Sequence, residues 1–439
     1  MHFLDSVFKL SEHQTSLRKE GVAGLTSFAA MAYILAVNPS ILSASGMDAA
    51  ALVTVTALSA AMGCGLMAIL ANYPIALAPG MGMNAFFAFT LCQTLGIPWQ
   101  GALGIVFWNG VLFMALSLSG IRERIIECVP DGLRVGVQAG IGLFIAFIGL
   151  SQAGLVVDHP ATLVTLGDLG TPSAWLAIFG ILVTGILILR KIPGGVLLAI
   201  VVIALLGCLV PGENGRVTSL PSMPFSLPPP PTSISFQLDL LYPINHWRTA
   251  LPLVFAFLFV DLFDTLGTLL GVGRTAGLLT SSGQLPRLKS ALVADAGATL
   301  AGALIGTSPV TAYVESAAGV RAGGRTGLTT LVVGLCFLLS LFLTPLILAL
   351  PSLATGAALV VIGLTMAEGL RSLAFDDLAQ TLPAFLTMLA MPLTASISDG
   401  IGLGFICYAG MMLGGGRARE VPLLTYGVAG LFLLRYAFL

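Results

Sequence analysis

The stretch "NYPIALAPGMGMNAFFAFT" occupies residues 72–90, and a second stretch of the same kind, "IGTSPVTAYVESAAGVRAGG", occupies residues 305–324. Each opens with a proline and small residues and then continues into a short helical segment within an apolar run. Proline breaks a helix because it lacks the backbone N–H and clashes with the preceding turn. At membrane depth, non-helical backbone is tolerated only where it is buried in protein or lines a cavity. The two stretches therefore predict two broken membrane spans beside a cavity.

The composition around these stretches is that of an integral membrane protein. Of 439 residues, 57% are hydrophobic and 9% charged, and the mean hydropathy is +1.00, whereas a soluble domain has about a quarter charged residues. Apolar runs of about 17–25 residues recur from end to end, and no separate soluble domain is visible. The first 20 residues are charged and lack the apolar core and cleavage site of a signal peptide. The N-terminus is therefore expected to be retained.

The apolar runs predict an all-α polytopic fold of about fourteen spans. Seven precede and seven follow an interruption at 211–247, where the proline run in "SMPFSLPPPPTSISF" favours an extended linker and excludes a helix. A last apolar stretch, 421–437, is interfacial or a fifteenth span. The predicted spans are 21–38, 49–71, 75–95, 99–119, 132–151, 174–190 and 194–210, then 248–271, 289–306, 309–320, 326–350, 353–370, 379–397 and 400–414.

The distribution of basic residues supports this count. Cytoplasmic loops carry the excess of lysine and arginine, and with a cytoplasmic N-terminus 16 of the 19 fall inside. Arg216 and Arg248 fall outside, and Arg435 is undecided. The inside residues are Lys9, Arg18, Lys19, Arg122, Arg124, Arg134, Arg190, Lys191, Arg274, Arg287, Lys289, Arg321, Arg325, Arg371, Arg417 and Arg419.

An odd number of spans per half predicts that the halves, 1–210 and 248–439, are inverted repeats. Inverted repeats are a signature of secondary transporters, whose ligand sites lie where broken helices start near the midplane. There the free N–H groups and positive dipole ends of two half-helices can hold a ligand.

Other classes of site receive little support. The six cysteines are scattered singly without CxxC pairs, so they indicate core packing and no metal or disulfide site; they are Cys64, Cys92, Cys128, Cys208, Cys336 and Cys407. The net charge of -1 argues against a nucleic-acid partner. The four histidines, His2, His13, His159 and His246, lie in termini or loops. No cofactor is implied.

Carboxylates and hydroxyls cluster in three apolar segments. Two aspartates lie in "AFLFVDLFDTLGTLLG" (256–271), and the other polar residues lie in the two broken stretches. Because an ionisable residue at that depth is costly, each is by default a functional-site hypothesis. For Asp264 a purely structural role is as plausible, and Asp295, Glu368 and Asp399 are interpreted as loop-proximal or structural. The cluster is Asn84, Asp261, Asp264, Ser308, Thr311, Tyr313 and Glu315.

The chain resembles a known family in five of its segments. Five segments, spread over essentially the whole chain, look like the AzgA-like purine permeases of the nucleobase/ascorbate transporter superfamily: "GLTSFAAMAYILAVNP" (24–39), "ALAPGMGMNAFFAFT" (76–90), "FVDLFDTLGTL" (259–269), "GTSPVTAYVESAAGVRAGGRTGLT" (306–329) and "LPAFLTMLAMPLTASISDGIGLGF" (382–405). The resemblance implies a seven-plus-seven inverted fold with a core domain of spans 1–4 and 8–11 and a gate domain of spans 5–7 and 12–14. It also implies proton-coupled uptake of hypoxanthine, guanine or adenine.

The resemblance also suggests roles for single residues. The family's substrate carboxylate falls on Asp261, its glutamate of span 10 on Glu315 and its amide of span 3 on Asn84. The more distant uracil and xanthine permeases share the pattern formed here by Pro309, Thr311, Tyr313 and Glu315. They often carry a histidine on span 8 that this chain lacks, so their finer contacts are not transferred.

The chemistry of the candidate residues fits a purine independently. Carboxylates accept from its N–H groups, an amide both donates and accepts, and Phe86 or Tyr313 can cover the ring. Asp261 and Asp264 are three residues apart, so they are expected to share a helix face that Glu315 approaches. Such carboxylates cannot all ionise readily in a poorly hydrated site. We therefore expect Asp261 to bind the base and Glu315 to be more tied to proton coupling, although the two roles could be exchanged. Asp264 is a further candidate for proton coupling, and Ser308 and Thr311 are further candidates for binding the base.

Two other functions remain open. The first is an anion carrier of the related sulfate-permease architecture, which the carboxylates and the lack of lysine or arginine in the spans oppose. The second is an intramembrane aspartyl protease, whose Gly-x-Gly-Asp and Tyr-Asp signatures are absent. The preferred purine, sodium in place of the proton, and homodimer formation are left open. The expected location is the inner or plasma membrane.

Overall fold

A computed structural model describes residues 2–119, 129–212, 215–280, 285–373 and 375–438. Arg122, Arg124 and Cys128 lie outside the described residues. Within these ranges ten helices are long and apolar enough to cross a bilayer, which confirms the prediction of a polytopic helical membrane protein. They are span 1 (Leu17–Ser45), span 2 (Ala49–Ala71), span 4 (Trp99–Ser119), span 5 (Asp131–Gln152), span 6 (Pro172–Leu189), span 8 (Trp247–Thr275), span 9 (Leu288–Ile305), span 11 (Gly327–Leu348), span 12 (Ser352–Ser372) and span 14 (Ile397–Gly414).

The other helical elements are shorter. Span 7 is Gly195–Gly207, span 13 is Leu378–Thr394, and the last helix is Leu423–Phe438. Span 3 consists of a strand, Leu77–Pro79, a helix, Met81–Ala85, and a π-helical segment, Phe86–Thr94. Span 10 consists of a strand, Val310–Ala312, and a helix, Ser316–Arg321. Two further short helices are His2–Phe8 and Tyr242–Asn245.

The two broken spans cross each other through their strands. Leu77–Pro79 pairs antiparallel with Val310–Ala312, with Ala78 opposite Thr311. The backbone N–H of Gly80 donates to Pro309 O at 2.9 Å, and the Tyr313 hydroxyl donates to Pro79 O at 2.5 Å. Each strand thus satisfies the backbone groups that the interrupted helix of the other leaves unpaired. This antiparallel pairing of the third and tenth spans is what inverted repeats predict.

Spans 5 and 12 pack along a seam of glycines. A Cβ added at Gly149 would lie 2.5 Å from Gly356 O, and one added at Gly356 would lie 2.7 Å from Gly149 O. Gly142 and Gly363 face each other in the same reciprocal way. Small residues allow membrane helices to approach closely and gain dispersion contacts. Any side chain at Gly149 or Gly356 would push the two spans apart.

The proline-rich linker is hydrogen-bonded to the ends of several spans. Its backbone donates from Phe236 to Leu304 at 2.8 Å and from Asp239 to Gln100 at 2.9 Å, and Thr54 Oγ1 donates to Pro229 O at 2.8 Å. A 3-10 turn, Pro231–Ser233, begins at the last residue of the proline run.

Two short hairpins lie outside the helices. One, Pro211–Gly212 with Gly215–Arg216, begins the linker, and the other, Val156–His159 with Leu163–Leu166, joins spans 5 and 6. These short strands depart from the all-α prediction without changing the helical architecture.

The last helix runs antiparallel along span 14. At one end the Tyr426 hydroxyl donates to Ala418 O, just beyond the end of span 14. At the other end Arg435 forms an ion pair with Asp399 at 3.3 Å, in the first turn of span 14. Contacts at both ends of one membrane span require the helix to lie parallel to it. The last helix therefore lies alongside span 14, which is the arrangement that a fifteenth span would have.

Candidate functional site

Two carboxylates lie beside the crossing strands. Thr311 Oγ1 donates to Asp264 Oδ2 at 3.5 Å, and the Tyr33 hydroxyl donates to Glu315 Oε1 at 2.5 Å. Glu315 is also the N-cap residue of the Ser316–Arg321 helix. Both Asp264 and Glu315 are only partly buried, so each is reachable from a cavity.

The Asp264 cavity has a volume of about 380 Å³, within the ~300–1,000 Å³ typical of small-molecule sites. It separates the crossing region from spans 5 and 12. It contains a carboxylate, an amide and an aromatic ring from Asp264, Gln138 and Phe263, and its other walls are largely apolar. Those walls include Gly82, Met83, Val137, Ile141 and Met366.

The Glu315 cavity, of about 620 Å³, lies on the other side of the crossing strands. It is bordered by spans 1, 10 and 12 and by the connection between spans 6 and 7. Tyr33 and Glu315 lie in its wall with Thr26, Thr365, Lys191 and Arg321. Lys191 and Arg321, like Arg134 in the Asp264 cavity, belong to the basic residues predicted on one face of the membrane. Both cavities therefore reach toward that same face.

The position of Arg134 contradicts the expectation that the spans lack lysine and arginine. It lies in the first turn of span 5 and lines the Asp264 cavity, so the spans are not free of basic residues. Its guanidinium forms an ion pair with Asp131 at 3.1 Å and lies 5.4 Å from the centroid of the Phe263 ring. The ion pair offsets its charge, and the Asp264 carboxylate keeps the cavity acidic.

The structure separates Asp261 from Asp264. Asp261 is fully buried, is absent from the lining of both cavities, and accepts a hydrogen bond from Asn109 Nδ2 on span 4 at 3.4 Å. Residues three apart on a helix differ by about 60° in direction, since each residue turns about 100°. In a tightly packed bundle that angle directs one carboxylate to span 4 and the other to the cavity. The prediction that Asp261 and Asp264 share one helix face that Glu315 approaches is therefore wrong.

A chain of buried hydroxyls links Asp264 to a third aspartate. Thr265 Oγ1 donates to Asp295 Oδ2 at 2.9 Å and lies 2.9 Å from Thr311 Oγ1, which in turn donates to Asp264. Asp295 is fully buried within span 9. Of the two interpretations given to Asp295, loop-proximal or structural, its burial and its hydrogen bond support the structural one. Asp295 is instead positioned to orient the hydroxyls that face Asp264.

The remaining predicted residues support the crossing region from within. The Ser308 hydroxyl donates to Asn84 Oδ1, and Asn84 Nδ2 has no hydrogen-bond partner in the described part of the chain. Phe86 is fully buried, with its ring centroid 4.5 Å from that of Phe257. Tyr313 is 4% exposed and is held by Pro79. Neither aromatic ring lines a described cavity, so the aromatic wall comes from Phe263 instead.

Sequence reasoning missed Tyr33, Phe263, Thr265 and Asn109. The last two carry no local signal, because a lone threonine or asparagine in a span is common. Tyr33 did carry one: it lies where span 1 breaks between Met31 and Ile34, in a segment otherwise apolar. Phe263 adjoins Asp264, but only the packing of span 8 shows which side of the helix is open.

Comparisons with known proteins agree with this architecture. The profile of a family described as the Permease family (Xan_ur_permease) matches residues 18–403. The chain is 46% identical to a putative permease of Methanocaldococcus jannaschii, covering 100% of this chain and 99% of the relative. It is 44% identical to an adenine permease of Escherichia coli (99% and 96% covered) and 43% identical to a guanine/hypoxanthine permease of Bacillus subtilis (99% and 100%).

Solved structures share the fold at low sequence identity. The transmembrane domain of a cyanobacterium bicarbonate transporter, BicA, superposes with a TM-score of 0.68 at 14% identity, covering 87% of this chain and 97% of that chain. An anion transporter, murine Slc26a9 in the inward-facing state, gives a TM-score of 0.62 at 12% identity, covering 90% and 68%. Such identities show a common fold and nothing more.

Proposed function

The chain belongs to the Permease family, and on that premise we propose that it is a secondary active transporter that carries purine nucleobases across the membrane. Membership of this family makes the chain a transporter and not an enzyme. The printed names of relatives at 42–44% identity specify adenine, guanine and hypoxanthine. Among the described features, the Asp264 cavity is the observation that best supports such a substrate.

The groups in this cavity match the edges and faces of a purine. Asp264 accepts from ring or exocyclic N–H groups, and Gln138 both donates and accepts. The Phe263 ring offers a flat apolar face, and its position under Arg134 holds it in place. Met83, Val137 and Ile141 supply the apolar contact that a largely neutral base needs. In this proposal Asp264 takes the base-binding role that the resemblance suggested for Asp261.

Uptake measurements test this function. We expect proteoliposomes containing the protein to accumulate radiolabelled adenine, hypoxanthine or guanine saturably, and unlabelled purines to compete. Uracil, nucleosides and nucleotides should compete poorly, because the cavity has no cluster of basic groups for a phosphate. Protein-free liposomes provide the control. Saturable uptake of bicarbonate or sulfate without uptake of any purine would instead support the anion carrier, for which the solved structures supply only the fold.

We further propose that transport is an elevator motion between two bodies. The glycine seam binds span 5 to span 12, whereas the paired strands bind span 3 to span 10. Both cavities lie between these two groups of spans, so a displacement along this boundary would carry Asp264 and Glu315 toward the other membrane face together. In this proposal the two bodies are the core and gate domains that the resemblance implies.

Crosslinking tests the motion. Gly267 of span 8 and Met366 of span 12 line the Asp264 cavity from opposite sides, and a Cβ at Gly267 would meet no atom within 4 Å. In a background without native cysteines, Gly267→Cys with Met366→Cys should lose transport when joined by a bifunctional maleimide. Each single variant treated with the same reagent measures how much transport an unlinked adduct in the cavity removes, and the crosslinked pair should lose more than either. Full uptake by the crosslinked pair would contradict the elevator motion.

A proton is proposed as the coupling ion, with Glu315 as its carrier. Glu315 lies in a cavity distinct from the one that holds Asp264, and its neighbour there is a hydroxyl, from Tyr33, that can donate to the carboxylate. A carboxylate that is reached separately from the base can exchange its proton while the base is bound. Sodium coupling would show as uptake that follows a sodium gradient at constant pH.

A further inference from the structure

A groove of about 560 Å³ lies between the first turn of span 8 and the last helix, away from the transport site. Arg248 in its wall is 16 residues before Asp264 on the same helix, which corresponds to about 24 Å at 1.5 Å per residue. The groove is on the membrane face that also carries the proline-rich linker. Its lining includes Trp247, Arg248, Leu251, Pro252, Leu434 and Arg435.

One end of the groove is cationic. Arg248 is exposed, its guanidinium lies 5.6 Å from the Trp247 ring centroid, and it forms no ion pair with any described residue. Arg435 is 7% exposed, donates to Ser398 Oγ at 2.7 Å and pairs with Asp399. Its Nε has no hydrogen-bond partner among the described residues. The two arginines and Asp399 leave a net charge of +1, with a buried donor still to be satisfied.

The other end of the groove is apolar and exposed. Leu251 and Leu434 are 49% and 60% exposed, and Pro252 and Leu431 complete the wall. Trp247 marks the level of the interface, where tryptophan is enriched in membrane proteins. A soluble anion would use only the cationic end. A ligand with a phosphate and a hydrocarbon chain would use both.

We propose that this groove binds an anionic phospholipid, with the phosphodiester between Arg248 and Arg435 and an acyl chain along Leu251 and Leu434. Guanidinium groups recognise phosphate oxygens through charge-assisted hydrogen bonds, and the side chains of Arg248 and Arg435 both line the groove. A zwitterionic lipid fits less well, because its cationic headgroup would lie against two arginines. The groove thus distinguishes lipids by headgroup charge.

Native mass spectrometry of the purified full-length protein, titrated with phosphatidylglycerol or phosphatidylcholine, tests the proposal. Wild-type protein should bind phosphatidylglycerol more tightly. Arg248→Ala should weaken this binding about fivefold, since a basic residue at an anionic membrane surface contributes about 1 kcal/mol. Arg216→Ala is the matched control, because Arg216 is an exposed arginine in the linker, on the same membrane face as Arg248 but outside the groove. It should leave the affinity unchanged.

A second variant separates a lipid from a soluble phosphate. Leu434→Trp fills the apolar end on an exposed face and keeps both arginines, so it should also weaken phosphatidylglycerol binding. Equal affinities of Arg248→Ala and Arg216→Ala would overturn the proposal. So would displacement of the lipid by glycerol 3-phosphate at equal concentration, or an undiminished affinity of Leu434→Trp, because each would show that the apolar wall contributes nothing.

Discussion

Asp264→Asn should weaken binding of the purine about 10- to 150-fold, because a hydrogen bond to a charged group contributes about 1.5–3 kcal/mol. Asparagine keeps the size of the side chain and one acceptor oxygen, so the cavity and the contact with Thr311 are preserved. What is lost is the negative charge that attracts the base's N–H donors. The expected result is a raised Kd with little change in the amount of folded protein.

Asp261→Asn is the matched comparison on the same helix. Asparagine at this position still offers an oxygen to Asn109 Nδ2, and Asp261 has no access to either cavity. We therefore expect its effect to fall on stability, with a lower melting temperature in detergent, while the Kd of the folded fraction stays near the wild-type value. A substitution that removed the side chain of Asp261 altogether would be more costly, because it would break a buried interaction of a charged group.

Equilibrium binding of a radiolabelled base to both purified variants measures the difference, and size-exclusion profiles report the folded fraction. The two aspartates are separated by one helical turn, so overall damage to span 8 would affect both variants alike. If Asp261→Asn loses binding while Asp264→Asn keeps it, the assignment suggested by the family resemblance is right and the one proposed from the cavity is wrong.

Glu315→Gln should abolish concentrative uptake while preserving exchange of the base. Glutamine can still accept from the Tyr33 hydroxyl and resembles the protonated acid, but it cannot release or regain a proton. With one proton per base, a gradient of one pH unit supports about tenfold accumulation, because one pH unit corresponds to 1.36 kcal/mol. In the variant the accumulation ratio should fall to about 1, since no gradient remains coupled to the base.

Proteoliposomes with an imposed pH gradient measure accumulation, and liposomes preloaded with unlabelled base measure exchange. Glu368→Gln is a suitable control, because Glu368 is exposed at the end of span 12 and lines neither cavity. It should accumulate the base like wild type. Concentrative uptake by Glu315→Gln with the wild-type dependence on external pH would eliminate Glu315 as the proton carrier.

Much of the architecture follows from local features of the sequence. Hydropathy over each window reports whether a segment can lie in hydrocarbon, and the proline and glycine of residues 72–90 and 305–324 report where a helix cannot continue. These properties depend on residues within a few positions along the chain, so they can be predicted without knowing how the helices pack. The broken third and tenth spans were predictable for this reason. So was the carboxylate-rich region around the crossing strands.

The direction of each polar side chain depended on the tertiary structure. Asp261 and Asp264 look equivalent in a helical projection, and only the positions of span 4 and of the cavity distinguish the buried aspartate from the accessible one. Tyr33 and Glu315 are 282 residues apart and meet because spans 1 and 10 pack together. Asp295 looks peripheral until Thr265 and Thr311 connect it to Asp264. A sequence determines which residues can be at membrane depth, because hydrophobicity is a property of the segment, whereas contacts across the bundle follow from rotations of about 60° that only the packing of all the helices sets.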